Sequence, residues 1–570
     1  MRASPATPPA AAPSAPARTL AGAAAPLLLF LGATLLYTLG LDRLPHPDEL
    51  YQTLAAQGLL ATGEPRIAEG LYTRAYAQTW LIAQSLWLFG DSIMAARLSS
   101  LLSVAAAAAV LFAWLRREAG PAAAWLGGAG FALSPFAVGI AQFARIYGVQ
   151  TLAFLLACLA VYEALARPGG RGRRLAFLIL AAPPFLLAVH LQPTTLLGSA
   201  GLGLWAAGAL ALHRLLDAAP PAWRKAAELG LALGLGLAAL AALWASGSLA
   251  ELWREFRSVP LFNEENKDEF WFYHAWYNLL YPTLWPLTGV LSLAALAARP
   301  APASLALAVF TLGFLLNSAG GPKALRYIAY AQPFLFALWG IGLASLWPAL
   351  GRFAAVLAAR LAAALPSSPG EGARQPLPRP ARWLVAAALL FLVLANPAWL
   401  RTAALLADVE VPGGQPNPDW AAARPALEPL LARVPVVVTT EELGALYFLG
   451  RYDVRFSPSK MGEIAEDRRY EFAADPRTGR PVIATPESLA LLFDCHPEGL
   501  FLLANQQWGR DHIFSEDVRR LIRERAESVP LPRRSRVTAY AWRHPEGTLR
   551  PAACAGLPPL PGPAAHDPAG

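Results

Sequence analysis

Residues 20–51 read LAGAAAPLLLFLGATLLYTLGLDRLPHPDELY. The first two thirds are an apolar run, and a hydrocarbon core roughly 30 Å thick takes about 20 such residues as a helix. The run ends in a polar segment, His46-Pro47-Asp48-Glu49-Leu50-Tyr51, with two adjacent carboxylates. No small-residue cleavage site separates the two, so the run reads as an uncleaved helix and not as a signal peptide. Further apolar runs lie at 92–115, 121–141, 147–166, 173–190, 193–213, 226–246, 282–298, 301–318, 325–349 and 381–398, which makes about eleven spans in all. Composition agrees. The 570 residues are 55% hydrophobic and 15% charged, where a soluble domain carries roughly 25% charge. The chain is a mainly α polytopic membrane protein, and ordinary soluble enzymes and disordered polymers are excluded.

The net charge of +8 does not indicate nucleic acid, because the basic residues sit between apolar runs and follow membrane topology instead. One set of alternate loops holds Arg116, Arg117, Arg167, Arg171, Arg173, Arg174, Arg214, Arg224, Lys225, Arg299, Arg352, Arg360, Arg374, Arg379 and Arg382. The other holds Arg43, Arg66, Arg74, Arg145, Arg254, Arg257, Lys267 and Lys323. The positive-inside bias puts the larger set in the cytoplasm, together with the N-terminus and a disordered tail at 1–19. The segments 41–91 and 247–281, the turns near 142–146 and 190–192, and everything after about 400 then face outward, across a bacterial-type inner membrane.

Past residue 405 the apolar runs shorten and charges return. Val434 to Thr440, Pro481 to Thr485, Gly499 to Ala504 and Arg536 to Trp542 read as strands, with helical pattern between them. A small α/β extracytoplasmic domain is expected over 405–550, followed by a flexible Pro-, Ala- and Gly-rich tail at 551–570. Three cysteines exclude a disulfide scaffold and a zinc ribbon. Cys158 lies in an apolar run, and Cys495 and Cys554 are available to pair in an oxidising compartment. Within 405–550 there is no Gly-rich phosphate loop after the first strand, and the neighbours Asp494-Cys495-His496 do not make a triad.

The polar residues that stand out collect on the outward side. They are Asp48-Glu49, Tyr72-Thr73-Arg74 before a Trp-rich amphipathic run from Ala75 to Phe89, Arg145-Ile146-Tyr147, His190-Leu191-Gln192, and Lys323-Ala324-Leu325-Arg326-Tyr327. The Ala75 to Phe89 run is too short and polar to span and suits a helix lying at the interface. Charges at the membrane boundary are costly and point to function. Each has a plainer reading beside it: a solvated loop for the carboxylates, snorkelling to headgroups for Arg145, Lys323 and Arg326, and membership of the aromatic belt for Tyr72, Tyr147 and Tyr327. His46 and His190 are as readily backbone-bonded as functional. His46 with Asp48 is a candidate pair for a divalent cation, without a complete ligand set. The acidic stretch Asn263 to Glu269 before Phe270-Trp271-Phe272-Tyr273-His274 is either a lid over substrate or a solvated loop.

An Asp-Glu pair in the first outward loop, then Tyr-x-Arg before an interfacial aromatic helix ending in Trp87-Leu88-Phe89-Gly90, resembles the GT-C superfamily of membrane glycosyltransferases. In pattern it is similar to the protein O-mannosyltransferases and the bacterial lipid A aminoarabinose transferases. The resemblance covers about residues 20–400. It implies a sugar donor on a polyprenyl phosphate, used at the outer face, and an acceptor that is a lipid, a glycan or a protein. It also implies that Arg74 holds the lipid-linked phosphate; from the residues themselves, Asp48 is the candidate base, Glu49 a candidate for orienting or binding acceptor, and Arg145, Lys323 and Arg326 further phosphate candidates. Many relatives carry a second acidic residue in the second outward loop, where this chain has Arg145-Ile146-Tyr147.

The chemistry asks for the same residue types. A carboxylate takes the acceptor proton, worth about 10²–10⁴-fold, and cations hold the leaving phosphate in a poorly solvated site, for which a guanidinium fork is suited. The reading is an inverting glycosyltransferase. Two other classes stay open. A transporter or flippase of lipid-linked glycans predicts charges or broken helices at mid-membrane. A non-catalytic membrane scaffold predicts that Asp48→Asn leaves function intact.

Overall fold

The computed structural model describes residues 15–216, 222–257, 269–364, 387–388, 390–409, 417–464, 471–511, 513–544, 554, 557 and 560. Residues 1–14 of the N-terminal tail, the acidic stretch at 263–268, Arg374, Arg379 and Arg382, and most of the C-terminal tail lie outside them.

The first helix, α1 (Ala15–Tyr37), leads into α2 (Pro47–Thr62), a short hairpin of β1 (Arg66–Ile67) and β2 (Gly70–Leu71), then α3 (Tyr76–Phe89) and α4 (Ile93–Ala119). Six helices are long and apolar enough to cross a membrane: Ile93–Ala119, Tyr147–Leu165, Arg171–Leu191, Thr195–Leu212, Pro300–Ala319 and Leu325–Pro348. Two bent pairs bring the number to eight if each is one span. The expected eleven are therefore not reached among the described residues. Part of the difference is local chemistry. The 121–141 run breaks by 50° between Pro121–Ala132 and Pro135–Ala141, where Ser134 caps the Ala137 N–H and Pro135 opens a new helix. The 226–246 run ends at Gly247, whose φ of +75° only glycine takes readily, and the amphipathic helix Ser248–Arg257 turns away from it. The expected spans at 20–40 and 282–298 contain the shorter apolar helices Ala24–Tyr37 and Thr288–Ala298, and much of 381–398 falls outside the described residues. The membrane core packs Ala-rich α4 against Tyr147–Leu165 and Gln332–Ala364, with Phe112, Phe154, Phe334 and Trp339 buried between them. Small residues let such helices approach closely.

The C-terminal region holds a seven-stranded mixed sheet. Its strands are β3 (Val436–Thr439), β4 (Val454–Phe456), β5 (Ala473–Ala474), β6 (Pro481–Ile483), β7 (Glu498–Ala504), β8 (Glu527–Val529) and β9 (Val537–Arg543), in the order β5-β6-β4-β3-β7-β9-β8. The four central strands are parallel and the edges antiparallel. Val438 pairs with Val454 on one side and Phe501 on the other. A strand buried on both faces reads as a continuous apolar run, which is why Val436-Val437-Val438 is legible. Val436 and Val438 pack with Leu489, Leu492, Val518 and Ile522 of the helices Pro486–Cys495 and Glu516–Arg525. Val437 packs on the opposite face with Trp420, Ala423 and Leu427 of the helix Trp420–Leu431. Cys495 and Cys554 form a disulfide, and Cys158 is free and buried.

Candidate active site

The start of α2 is set by its own sequence. His46 is the N-cap, its Nδ1 accepts from the Asp48 N–H at 3.1 Å, and the Glu49 carboxylate accepts from the His46 N–H at 2.9 Å. With Pro47 at the first helical position and two carboxylates in the first turn, every local preference for a helix N-terminus is met. The Nδ1 lone pair of His46 is thereby used in capping. Burial, first of all, pushes the imidazole below its ordinary range.

The two adjacent carboxylates part company at once. Glu49 is 1% exposed and makes a two-pronged pair with Arg97 of α4, Nε to Oε2 and Nη2 to Oε1, both at 2.8 Å. Its Oε2 also accepts from the Ala144 N–H at 2.9 Å. Arg97 spends its third nitrogen on the carbonyls of Leu41 and Arg43, at 2.6 and 2.9 Å. This sealed pair ties the loop after α1, the start of α2, α4 and the 142–146 turn to one point. Burial would raise the Glu49 carboxyl, but Arg97 outweighs it and holds it below the usual range.

Asp48 points the other way. Its carboxylate meets Arg326 at 3.0 Å, and both side chains are about one-third exposed, 32% and 29%. His46 Nδ1 is 3.9 Å away. Burial acts to raise this carboxyl too, but Arg326, then Arg145, His46 and Arg74, together hold it below the ordinary carboxylate range. Arg145 is buried, donates to the Tyr72 hydroxyl at 3.1 Å, and its backbone carbonyl is held by Ser100 at 2.9 Å. Tyr147 stacks on Phe143, its ring centroid 6.3 Å from that of Tyr327, and Arg326 lies 5.5 Å from the Tyr327 centroid. Arg74 donates to Gln192 at 3.3 Å. Three guanidinium groups thus surround one carboxylate, because Glu49 is already neutralised by Arg97. The balance is cationic, as an anion-binding site requires.

Two cavities are lined by neighbouring residues, one by Arg326 and the other by Tyr327. The larger, of about 720 Å³, is lined by Arg43, His46, Glu49, Phe136, Phe143, Trp276, Leu280, Arg326, Arg401, Asp408 and Arg536, among others. The smaller, of about 150 Å³, is lined by Arg74, Gln192, Thr194, Leu197, Leu252, Phe256 and Tyr327, among others. Asp48 pairs with Arg326, which lines the larger of the two.

Of the residues singled out in the sequence, Asp48, Tyr72, Arg74, Arg145, Tyr147, Arg326 and Tyr327 converge, with His46 capping beside them. His190 stands apart, exposed, with its Nε2 facing the Ala77 N–H at 3.5 Å at the start of α3. Lys323 is also set apart. It is buried, and its ammonium donates to the carbonyls of Asn317, Ser318 and Gly320 at the end of the helix Pro300–Ala319, where a helix dipole favours a cation. Sequence reasoning passed over Arg97, and a lone Arg inside an apolar run was signal enough. Arg401 and Arg536 line the larger cavity but carried no signal, since only the fold brings residues 401 and 536 to the first loop. Among the described residues no three His, Cys, Asp or Glu side chains group to hold a metal ion.

The fold is similar to those of two solved proteins. ArnT from Cupriavidus metallidurans bound to undecaprenyl phosphate aligns with a TM-score of 0.56 over 94% of this chain and 100% of that one, at 17% identity. The archaeal oligosaccharyltransferase AglB from Archaeoglobus fulgidus, in complex with an inhibitory peptide and a dolichol-phosphate, aligns with a TM-score of 0.52 over 88% of this chain and 72% of that one, at 14% identity. No family model matches the chain, and no curated protein sequence does.

Proposed function

We propose that the protein is an inverting glycosyltransferase that moves a sugar from a polyprenyl-phosphate donor to an acceptor at the outer face of a bacterial-type inner membrane. The observation that carries this reading is Asp48, the one carboxylate of its pair that is not sealed, paired with Arg326 of the larger cavity and under the influence of Arg145 and Arg74. Both solved neighbours cited above were captured with a polyprenyl-type phosphate, which supports a lipid-linked donor here.

In this reading the donor phosphate reaches Arg74 and Arg326 and takes Arg326 over from Asp48. Asp48, released from its ion pair, becomes a better base and accepts the proton of the acceptor hydroxyl. The acceptor oxygen bonds to the anomeric carbon as the bond from that carbon to the phosphate oxygen breaks. The phosphate leaves with the bonding pair and one additional negative charge, held by the guanidinium groups. A retaining route needs a second carboxylate as nucleophile. Glu49 is tied to Arg97 and unsuited to that task, so a single displacement with inversion follows. The excess of Arg and Lys in one set of loops and the Cys495–Cys554 disulfide support an outward C-terminal region, since the cytoplasmic side is the more basic and disulfides persist in oxidising compartments.

The test is transfer of radiolabel from a panel of polyprenyl-phosphate sugars to membrane extract by purified protein. Asp48→Asn is expected to lower the rate about 10²–10⁴-fold while the protein stays folded. Transfer at the wild-type rate by Asp48→Asn overturns the assignment.

A further inference from the structure

Among its contacts with the rest of the chain, the C-terminal region meets α2 and the hairpin that follows it. Tyr51, one turn after Asp48, donates from its hydroxyl to Glu442 Oε1 at 3.0 Å. Glu442 is buried and fixed by Arg455 at 2.7 Å, which also meets Asp475 at 3.4 Å. Arg477 lies 5.3 Å over the Tyr51 ring and donates to its hydroxyl at 3.4 Å. The other face of that ring system is turned to the site: Tyr51 stacks on Tyr72 at 5.3 Å with the planes 14° apart, and the Tyr72 hydroxyl accepts from Arg145.

Tyr72 is held a second way. It follows β2, and the hairpin is clamped to residues 476–480 by the Glu69 N–H to the Thr478 carbonyl at 3.1 Å and by Arg480 gripping both oxygens of Glu69 at 2.8 and 3.1 Å. Gly70 admits no side chain there, since a Cβ would come within 2.5 Å of the Arg477 and Thr478 backbone. The interface sets a small apolar patch of Leu50, Ile67, Tyr72 and Leu443 beside polar contacts of Glu442 and Arg477 to Tyr51, which reach Arg145 through the Tyr51–Tyr72 stack.

We propose that Tyr51 is a positioning residue through which the C-terminal sheet holds Tyr72, and hence Arg145, in place beside Asp48, so that this region completes the site from behind. The proposal rests on Asp48 being the base. The groups facing Asp48 are His46 at the N-cap of its own helix, Arg74 from the loop before α3, Arg145 from the turn before Tyr147–Leu165, and Arg326 beside Tyr327, while Glu49 is turned away onto Arg97. Arg145 is the second strongest of the influences that hold the carboxyl down. If its support is lost, burial lifts the carboxyl and the acid limb of the rate moves up in pH.

The experiment uses the full chain in detergent and compares wild type with Tyr51→Leu, Tyr51→Phe, Tyr72→Phe and the double variant of Tyr51→Leu with Tyr72→Phe. The acid limb of kcat/KM is expected to rise by roughly one pH unit in Tyr51→Leu and Tyr72→Phe. The double variant should rise no further, because both act on one contact chain. Tyr51→Phe, which keeps the stack and cuts only the link to Glu442 and Arg477, should move part-way, and it carries the test if Tyr51→Leu does not fold. Infrared titration of the Asp48 carboxyl, its band assigned by loss in Asp48→Asn, reads the same shift without turnover. Wild-type protein that transfers no sugar therefore sinks the functional reading and leaves this one decidable. An acid limb and a carboxyl midpoint unmoved in the Tyr51 variants, or shifts that add in the double variant, overturn it.

Discussion

Asp48 keeps its carboxylate 3.0 Å from Arg326 with about a third of each side chain exposed, while the Glu49–Arg97 pair one residue away is closed to solvent, at 2% and 0%. A half-open pair is one that an arriving anion can exchange, and a closed one is not. The sign of the pH dependence follows. On the proposed reading Asp48 works ionised, and its neighbours hold it below the ordinary value despite burial, so wild-type activity should persist down to roughly pH 4 or lower. Arg326→Gln removes the strongest of those neighbours. The acid limb of kcat/KM should then move to higher pH, with activity lost at mildly acid pH where wild type still turns over. A limb that stays put or moves down would show that Arg326 does not set the charge state of Asp48. At this scale the sequence is informative where chemistry is local. Asp48, Arg74 and Arg326 stand out as boundary charges, but the carbonyls that claim Lys323 depend on how one helix ends.

The helix α2 is the element on which the site turns. Its capping signals are all in the sequence, and so is the interfacial character of α3, whose Trp80, Trp87, Leu88 and Phe89 are exposed while Gln78, Thr79 and Ile82 are buried. What the sequence does not show is the pin between α2 and α4: Arg97 stands out in its apolar run, but nothing local names Glu49 as its partner. Removing one partner of a buried pair leaves the other charge uncompensated, at about 3–5 kcal/mol. Arg97→Met and Glu49→Gln are each expected to lower the midpoint of thermal unfolding in detergent. The double variant, which leaves no buried charge, should recover part of the loss. Single variants as stable as wild type would show that the pair is not what fixes α2. Span counting fails for a related reason: hydropathy sees the 121–141 run as continuous, and the Ser134-Pro135 break that bends it contributes little to an average.

Over the whole molecule, apolar spans and the change of composition past residue 405 were legible, since both are bulk properties. The short strands β4, β5 and β8 were not, having two or three residues each, too few to show a period. Nor was the contact between residues 51 and 442, which no local pattern encodes. The disulfide gives the account a check on location: purified without reductant and then denatured, the protein should present one reactive thiol, Cys158, and three after reduction. Three thiols before reduction would count against an exported C-terminal region. The central claim, that one carboxylate and the phosphate of a lipid-linked sugar compete for the same guanidinium, is tested most directly by binding of a short-chain polyprenyl phosphate to the purified protein. The account predicts that Arg326→Gln weakens binding and that Asp48→Asn, freed of the competing carboxylate, binds at least as tightly as wild type while transferring sugar about 10²–10⁴-fold more slowly. Binding that ignores Arg326, or that falls with Asp48→Asn, would contradict it.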